Sequence, residues 1–116
     1  MNSTFTIKNS KVVNEGQIAE TDVIIKNGRF EKIGNNLESE GEVIDAAGLF
    51  LMPGIIDDQC HFREPGLTER GSIRTESLSA IAGGTTTFMD MPNVLPPTLD
   101  INLWREKISI AEQSAS

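Results

Sequence analysis

The fold is decided by residues 49–66, which read LFLMPGIIDDQCHFREPG. An apolar run, 49–52, stops at Pro53, and Ile55-Ile56 then lead into the polar residues 57–63. A short apolar strand that ends in polar side chains is typical of a parallel α/β strand, whose carboxyl end carries the active site in barrel enzymes. The stretch therefore predicts a buried parallel strand with a candidate functional site at its end.

Two helices are predicted downstream of residue 66. The first covers 71–82 and stops at Gly83-Gly84, because glycine readily adopts the conformations that end helices. Its expected inner side consists of Ile73, Ser77 or Leu78, and Ile81. The second begins after Asp100, whose carboxylate can cap a helix N-terminus. Its apolar stripe is expected in the core and consists of Ile101, Trp104, Ile108 and Ala111.

A second strand lies between these helices. β-branched residues dominate 85–89, and a proline-rich loop follows at 90–97. Strands that alternate with helices predict parallel βα units with right-handed crossovers. A (β/α)8 barrel needs about 250 residues, so this part of the chain has room for only two of its units. We therefore expect a truncated chain. The alternative is a small complete α+β domain, which would leave an exposed sheet edge.

The first 48 residues have a different composition, with no proline and with glycines between short β-rich runs. Asn27-Gly28 is flanked by two such runs, which is the strongest short signal for a β-hairpin. The runs with strand patterns are 4–7 and 11–13 (a strand pair or one bent strand), 22–26, 29–33 and 42–45. Together they predict a small β unit, either a sandwich or an open barrel layer.

The fold class that follows is α/β, with two parts. Residues 1–50 are predicted to form a small β-sandwich portion. Residues 51–116 are predicted to form the first two βα units of an incomplete TIM-type (β/α)8 barrel.

Composition excludes several classes of protein. A formal net charge of −7, with scattered arginines and lysines, argues against a nucleic-acid partner. One cysteine excludes an internal disulfide framework and suits a reducing cytosol. Neither a signal peptide nor a run of about 20 apolar residues is present, so we expect a cytoplasmic protein without a membrane partner.

One histidine, His61, lies near the predicted strand end. Alternate residues of a strand point to the same side, so Asp57, Gln59 and Arg63 are expected to project with it. An imidazole beside carboxylate and amide oxygens favours a metal site. A structural role for a lone histidine is the alternative on spacing alone.

Two further residues are candidates for anion binding at the same end of the sheet. Arg63 carries five donors in a fixed fork that suits a carboxylate, whereas the alternative is a surface salt bridge to Glu64 or Glu69. Asn93 lies in the proline-rich loop, where its amide can donate to a carboxylate or simply form a turn. Cys60 is expected to point the opposite way, as a buried small hydrophobe.

These residues lie in motifs that resemble the cyclic amidohydrolases and, within them, the dihydroorotases. The motifs are PGIIDDQCHFREPG at 53–66, GGTTT at 83–87 and DMPNVLP at 90–96. The arginine at position 63 is the more specific feature, because the related allantoinases and dihydropyrimidinases generally lack it. The resemblance spans essentially the whole chain, although members of the family are several times longer.

The resemblance implies the reversible hydrolysis of dihydroorotate, a small-molecule partner, to N-carbamoyl-aspartate in pyrimidine biosynthesis. It implies zinc as the cofactor, which lowers the pKa of a water and polarises the amide carbonyl. His61 matches the second histidine of the family's His-x-His metal motif. Arg63 and Asn93 match positions that bind the substrate carboxylate.

The acid/base residue and the remaining ligands are expected downstream, so no catalytic residue is expected within these 116 residues. A homo-oligomer is left open.

Gln59 departs from the family pattern, which usually has the first metal histidine at this position. An amide oxygen is a weak, neutral zinc ligand. This departure leaves three alternatives: weak binding helped by Asp57 or Asp58, a site with one metal instead of two, or a non-catalytic scaffold. A sister cyclic amidohydrolase of the allantoinase or dihydropyrimidinase type is a further alternative.

Overall fold

The computed structural model describes residues 3–116, which form two compact units. One unit ends at Pro53 and the other covers Gly54–Ser116. The predicted division between residues 50 and 51 would cut a short strand, Phe50–Leu51, whose residues pair with Lys11 and Val12 of the first unit.

The first unit contains one five-stranded mixed sheet. Its strands are β1 (Thr4–Asn14), β2 (Gln17–Lys26), β3 (Arg29–Gly34), β4 (Glu42–Asp45) and β5 (Phe50–Leu51). The order is β3-β2-β1-β4, with antiparallel pairing of the first three strands. Both β4 and β5 run parallel to β1, at successive positions along it. The unit therefore supplies one layer of sheet.

Strand β1 is one bent strand rather than a pair of strands. Its register with β2 shifts between Ile7 and Ser10, and Asn9 has a φ of 58° at that point. A bulge of this kind bends a strand without ending it. Of the two readings of residues 4–13, the bent strand is confirmed.

The predicted hairpin between β2 and β3 is confirmed. Asn27 and Gly28 have φ values of 53° and 72°, and Lys26 pairs with Arg29. Positive φ at both central residues defines the type I′ turn, whose twist matches that of the strands beside it.

An ion pair between the partly exposed Lys8 and the buried Asp22 lies at the bend of the first unit. Asp22 accepts hydrogen bonds from Lys8 Nζ at 2.6 Å, from the backbone N–H of Asn9 at 2.9 Å and from that of Leu37 at 3.0 Å. The bond from Lys8, followed by that from Asn9, lowers the pKa of the Asp22 carboxyl below its usual value. The carboxylate is thus fully hydrogen-bonded where β1 bends over β2.

The second unit has the predicted alternation of strand and helix. Its elements are β6 (Ile55–Cys60), a 3-10 turn (Thr68–Arg70), α1 (Ile73–Ala82), β7 (Thr85–Asp90) and α2 (Ile101–Ser114). β6 and β7 are parallel, with pairs from Ile55↔Thr85 to Cys60↔Asp90. The two βα units are therefore present, while their extension to a barrel stays a prediction. Neither of the two described helices has the length and apolarity that crossing a membrane requires.

The predicted burial of β6 is wrong for its first residues. The side chains of Ile55 and Ile56 are 57% and 64% exposed, because β6 pairs with β7 alone among the described strands. Burial begins at the carboxyl end, where Cys60 and Phe62 pack against Ile73. The predicted burial of Cys60 is confirmed.

Helix α1 begins at Ile73 because Ser72 and Thr75 form a reciprocal capping box. Its buried side chains are Ile73 and Ser77. The expected placement of Leu78 and Ile81 on the inner side is wrong, since both are about half exposed.

Helix α2 is capped as predicted, since Asp100 Oδ1 accepts from the N–H groups of Asn102 and Leu103. The predicted core position of Trp104 is wrong, because its side chain is 51% exposed. The buried residue of the helix is Lys107. Lys107 lies on the same side of the helix as Trp104, Ile108 and Ala111, since all four line one cavity. Of the expected apolar stripe, only Ala111 packs against the core, while Ile101 and Ile108 stay exposed.

Candidate active site

The carboxyl ends of β6 and β7 meet at one edge of the parallel sheet, and the candidate residues follow these ends directly. His61 and Arg63 come after β6, and Asn93 comes three residues after β7. In open α/β sheets this edge is where ligands bind. The three sequence-predicted site residues are brought together here.

A hydrogen bond joins His61 to Asn93. The imidazole Nδ1 lies 2.8 Å from Asn93 Oδ1. An amide oxygen is an acceptor only, so this bond needs a proton on Nδ1; in the neutral imidazole, Nε2 then keeps its lone pair. The histidine is exposed. Metal-binding histidines have this arrangement, with one ring N–H held by an oxygen and the other nitrogen free for the ion.

Arg63 contacts the same loop from the other side. Its Nη1 lies 3.5 Å from the backbone oxygen of Asn93, a long hydrogen bond that leaves the other guanidinium donors available. The backbone of Arg63 has a φ of 62°, in the left-handed region that non-glycine residues seldom adopt. Strained residues of this kind cluster at functional sites.

The alternative surface salt bridge for Arg63 is not formed within residues 3–116. Glu64 instead accepts a hydrogen bond from the N–H of Ile73 at 2.8 Å, at the start of α1. Glu69 lies 3.7 Å from Arg70. Both glutamates are therefore engaged elsewhere, and the guanidinium is open to an external anion.

The loops after β6 and β7 are tied together at Gly66. The N–H of Leu95 donates to the oxygen of Pro65 at 3.1 Å. A Cβ on Gly66, whose φ is 80°, would lie 1.9 Å from the backbone oxygen of Leu95. Only glycine fits this crossing, which joins the loops that carry Arg63 and Asn93.

The residues before His61 do not gather as the strand register predicted. Asp57 Oδ1 accepts from the backbone N–H of Gln59 at 3.0 Å, and the pairing of β6 with β7 is irregular between Asp57 and Cys60. Across the part of the chain that the structure describes, no group of three or more His, Cys, Asp or Glu is placed to hold a metal. Gln59 and Asp58, which precede His61, stay exposed.

The site also contains a buried ion pair that sequence reasoning missed. Lys107 Nζ lies 2.8 Å from Asp90 Oδ2 and donates to the backbone oxygen of Met91 at 2.9 Å. Both side chains are less than a tenth exposed. The contact to Oδ2 lies outside hydrogen-bond geometry, so Oδ2 is held by charge alone, whereas Oδ1 accepts from the N–H of Phe62 at 2.9 Å. An aspartate that closes a β-branched strand was the available signal for this pair.

Cys60 lies next to the site but is not a nucleophile. Burial, helped by the negative charges of Asp90 and Asp57, raises the pKa of its thiol to about 11. The thiolate is the reactive form, so the thiol is inert near neutral pH.

A mainly apolar cavity of about 350 Å³ lies between β7 and α2. Trp104, Phe88 and Ile108 line it together with Asp90 and Lys107. His61, Arg63 and Asn93 are not part of its lining. The cavity is thus separate from the polar cluster, and the ion pair lies between the two.

Several known proteins are similar to this chain along most of its length. A dihydroorotase from Methanosarcina acetivorans is 37% identical over 94% of this chain and 24% of its own length. An allantoinase from Solibacter usitatus is 39% identical over 97% of this chain and 25% of its own length. An L-hydantoinase (dihydropyrimidinase) structure from Arthrobacter aurescens has a TM-score of 0.90 and 34% identity, covering 97% of this chain and 26% of that one.

The chain is similar to proteins named dihydroorotase, allantoinase and hydantoinase along nearly its whole length. It spans about a quarter of the length of the relatives it matches. No protein-family model matches it. The expected resemblance to dihydroorotases is confirmed, and the sister hydrolases of the family are similar to the chain at comparable identity.

Proposed function

We propose that this chain supplies part of the active site of a zinc-dependent, dihydroorotase-like hydrolase. The reaction is the reversible opening of the cyclic amide of dihydroorotate to N-carbamoyl-aspartate in cytoplasmic pyrimidine biosynthesis. The observation that carries the proposal is the cluster of His61, Arg63 and Asn93 at the carboxyl ends of β6 and β7.

Arg63 and Asn93 are proposed to bind the substrate carboxylate. The guanidinium has donors to spare, and Asn93 has its amide N–H groups free once Oδ1 is taken by His61. Charge-assisted hydrogen bonds to a carboxylate are about twice as strong as neutral ones. The two side chains can therefore orient the ring of an anionic substrate against the histidine.

His61 is proposed to hold zinc through Nε2. Zinc, when bound, lowers the pKa of a water and polarises a carbonyl. Asn93 fixes the tautomer that leaves Nε2 free for the ion. Because one imidazole does not make a zinc site, we expect the 116-residue chain alone to show no turnover with added zinc. Turnover above a metal-only blank would contradict this.

A chimera tests the proposed function directly. In it, this chain replaces the matching residues of the Methanosarcina acetivorans dihydroorotase. We expect hydrolysis of dihydroorotate, with Arg63→Met raising KM by roughly tenfold to a hundredfold, since a lost charged hydrogen bond costs about 1.5–3 kcal/mol. Arg105→Met, which removes an exposed charge from α2, is the matched control. A folded, zinc-loaded chimera whose KM ignores Arg63→Met would contradict the carboxylate role.

A sister hydrolase is the second candidate, favoured by the similarity to an allantoinase and a hydantoinase. The same chimera separates the two, because dihydrouracil has the ring of dihydroorotate without its carboxylate. A preference for dihydroorotate that disappears with Arg63→Met supports the first candidate. A preference for dihydrouracil supports the second.

A non-catalytic scaffold is the third candidate, favoured by Gln59 at the position of a metal histidine. The zinc content of the chimera decides this point. A chimera without zinc and without turnover, in which Gln59→His restores both, would assign the scaffold. Zinc and turnover in the unaltered chimera, abolished by His61→Ala, would exclude it.

A further inference from the structure

The buried pair of Lys107 and Asp90 contacts both loops of the candidate active site without belonging to the cluster itself. We propose that these two residues are positioning residues, which set the orientation of His61 and Asn93. The inference rests on the proposed function, because it assigns a role within that site.

Asp90 acts on the loop after β6. Its Oδ1 accepts from the N–H of Phe62 at 2.9 Å, and this peptide joins His61 to Phe62, the residue before Arg63. The backbone N–H of Met91 also donates to the oxygen of Cys60 at 3.0 Å. Fixing the Phe62 amide fixes the directions in which the residues on either side of it leave the strand.

Lys107 acts on the loop after β7. Its Nζ donates to the oxygen of Met91 at 2.9 Å, two residues before Asn93. The same ammonium lies 2.8 Å from Asp90 Oδ2. One buried charge therefore holds the backbone that presents Asn93 and also the carboxylate that holds the peptide after His61.

Stability alone is a poor reason for this pair. Removing two charges from water costs free energy, and buried ion pairs can often be replaced by apolar residues without loss of stability. The cavity between β7 and α2 is lined mainly by apolar side chains. The charged pair can orient both loops, because it makes hydrogen bonds to one backbone group in each of them.

His61 is itself the reporter for a test, because the chain has one histidine. Nuclear magnetic resonance correlations of its two ring nitrogens, recorded on the metal-free 116-residue chain above the imidazole pKa, show which nitrogen carries the proton. We expect the Nδ1–H tautomer in the unaltered chain, as the bond to Asn93 requires. An equal mixture of tautomers in the unaltered chain would overturn the proposal at once.

The decisive variant is Lys107→Met, which removes the charge and keeps the length of the side chain. We expect the loss of the single-tautomer pattern, with a shift toward the mixture of free imidazole, and faster hydrogen exchange of the Phe62 amide. Arg105→Met, on the same helix and exposed, is expected to leave both unchanged. Lys107→Arg, which restores a positive charge, is expected to recover part of the tautomer pattern.

A purely structural pair gives a different result. In that case, Lys107→Met lowers the stability of the chain but leaves the tautomer as it was, and the proposal is overturned. If Lys107→Met does not fold, the double variant Asp90→Asn with Lys107→Met removes both charges together. A folded double variant with mixed tautomers supports the proposal, whereas one with the single tautomer, or one that also fails to fold, rejects it.

This test and that of the proposed function fail separately. The tautomer is measured without metal or substrate. A chimera that does not hydrolyse dihydroorotate counts against the function and leaves the tautomer result standing. An unchanged tautomer counts against the positioning role, even where the chimera is active.

Discussion

Each unit of this chain contains an ion pair between a lysine and a buried aspartate, and the two pairs are built differently. In the first unit, Asp22 receives a hydrogen bond from Lys8 and two from backbone N–H groups. In the second, one oxygen of Asp90 has a backbone hydrogen bond and the other has only the charge of Lys107. A fully hydrogen-bonded carboxylate secures a fold. In the second unit, the lysine that pairs with the carboxylate also hydrogen-bonds a loop beside the candidate active site. That pair therefore helps to position the loop as well as to stabilise the fold.

The largest loss of stability is expected at the ion pair whose aspartate has the fewest other hydrogen bonds. Lys107→Met leaves the carboxylate of Asp90 buried and unpaired, which costs roughly 3–5 kcal/mol of unfolding free energy. Urea unfolding, followed by the fluorescence of Trp104 on the same helix, measures the loss. Arg105→Met is the control, with an expected change within about 0.5 kcal/mol. A loss for Lys107→Met no larger than the control's would show that the two pairs differ less than their geometry indicates.

Gly66→Ala is expected to cause the next largest loss of stability, because it forces apart the two loops that the ion pair of the second unit orients. The added Cβ would lie 1.9 Å from the backbone oxygen of Leu95, at a φ of 80°. Overpacking against backbone, with the left-handed strain, costs about 2–4 kcal/mol. Gly28→Ala is the matched control, since its φ is 72° and its added Cβ meets nothing within 4 Å. We expect it to cost about 1 kcal/mol. Equal losses for the two variants, measured by urea unfolding, would mean that the loop crossing carries no constraint.

The local signals of the sequence were sufficient for most elements of the fold. The Asn27-Gly28 hairpin and the cap at Asp100 depend on neighbouring residues, so they could be predicted. The burial of Lys107 in α2 could not be predicted, because its partner Asp90 is distant in the sequence. Trp104, which continues an apolar stripe in the sequence, lines the cavity between β7 and α2 and is half exposed.

Some features of the candidate site could likewise be predicted from the sequence, and others could not. His61, Arg63 and Asn93 could be selected because polar residues at the ends of parallel strands share one sheet edge. The direction of each side chain could not, since the register of β6 with β7 is irregular. Asp57 turns back to its own backbone instead of joining His61, as alternation along the strand had predicted.

Acidification is expected to weaken the first pair. The pKa of Asp22 is held below its ordinary value of 3.8, chiefly by the hydrogen bond from Lys8. The stabilisation is therefore complete above the unfolded-state pKa, and it is lost as the pH falls through the folded-state pKa. We expect Asp22→Asn to be less stable than the unaltered chain at neutral pH, with a smaller further loss on going to a pH of about 3. Urea unfolding at both pH values measures the difference, and parallel losses in the two proteins would contradict it.

The smallest effect is expected for an ion pair that lacks burial. Lys32 Nζ lies 3.3 Å from Glu40 Oε1, and their side chains are 56% and 39% exposed. Water already solvates both charges, so Lys32→Met should change the unfolding free energy by about 0.5 kcal/mol or less, and salt should remove even that. The substitution is the same as at Lys107. The ratio of the two losses of unfolding free energy therefore measures the effect of burial, because the change of side chain is identical. A loss at Lys32 close to that at Lys107 would mean that the pairing of charges, and not their removal from water, sets the cost. Burial would then not explain why the ion pairs of this chain differ in their contribution to stability.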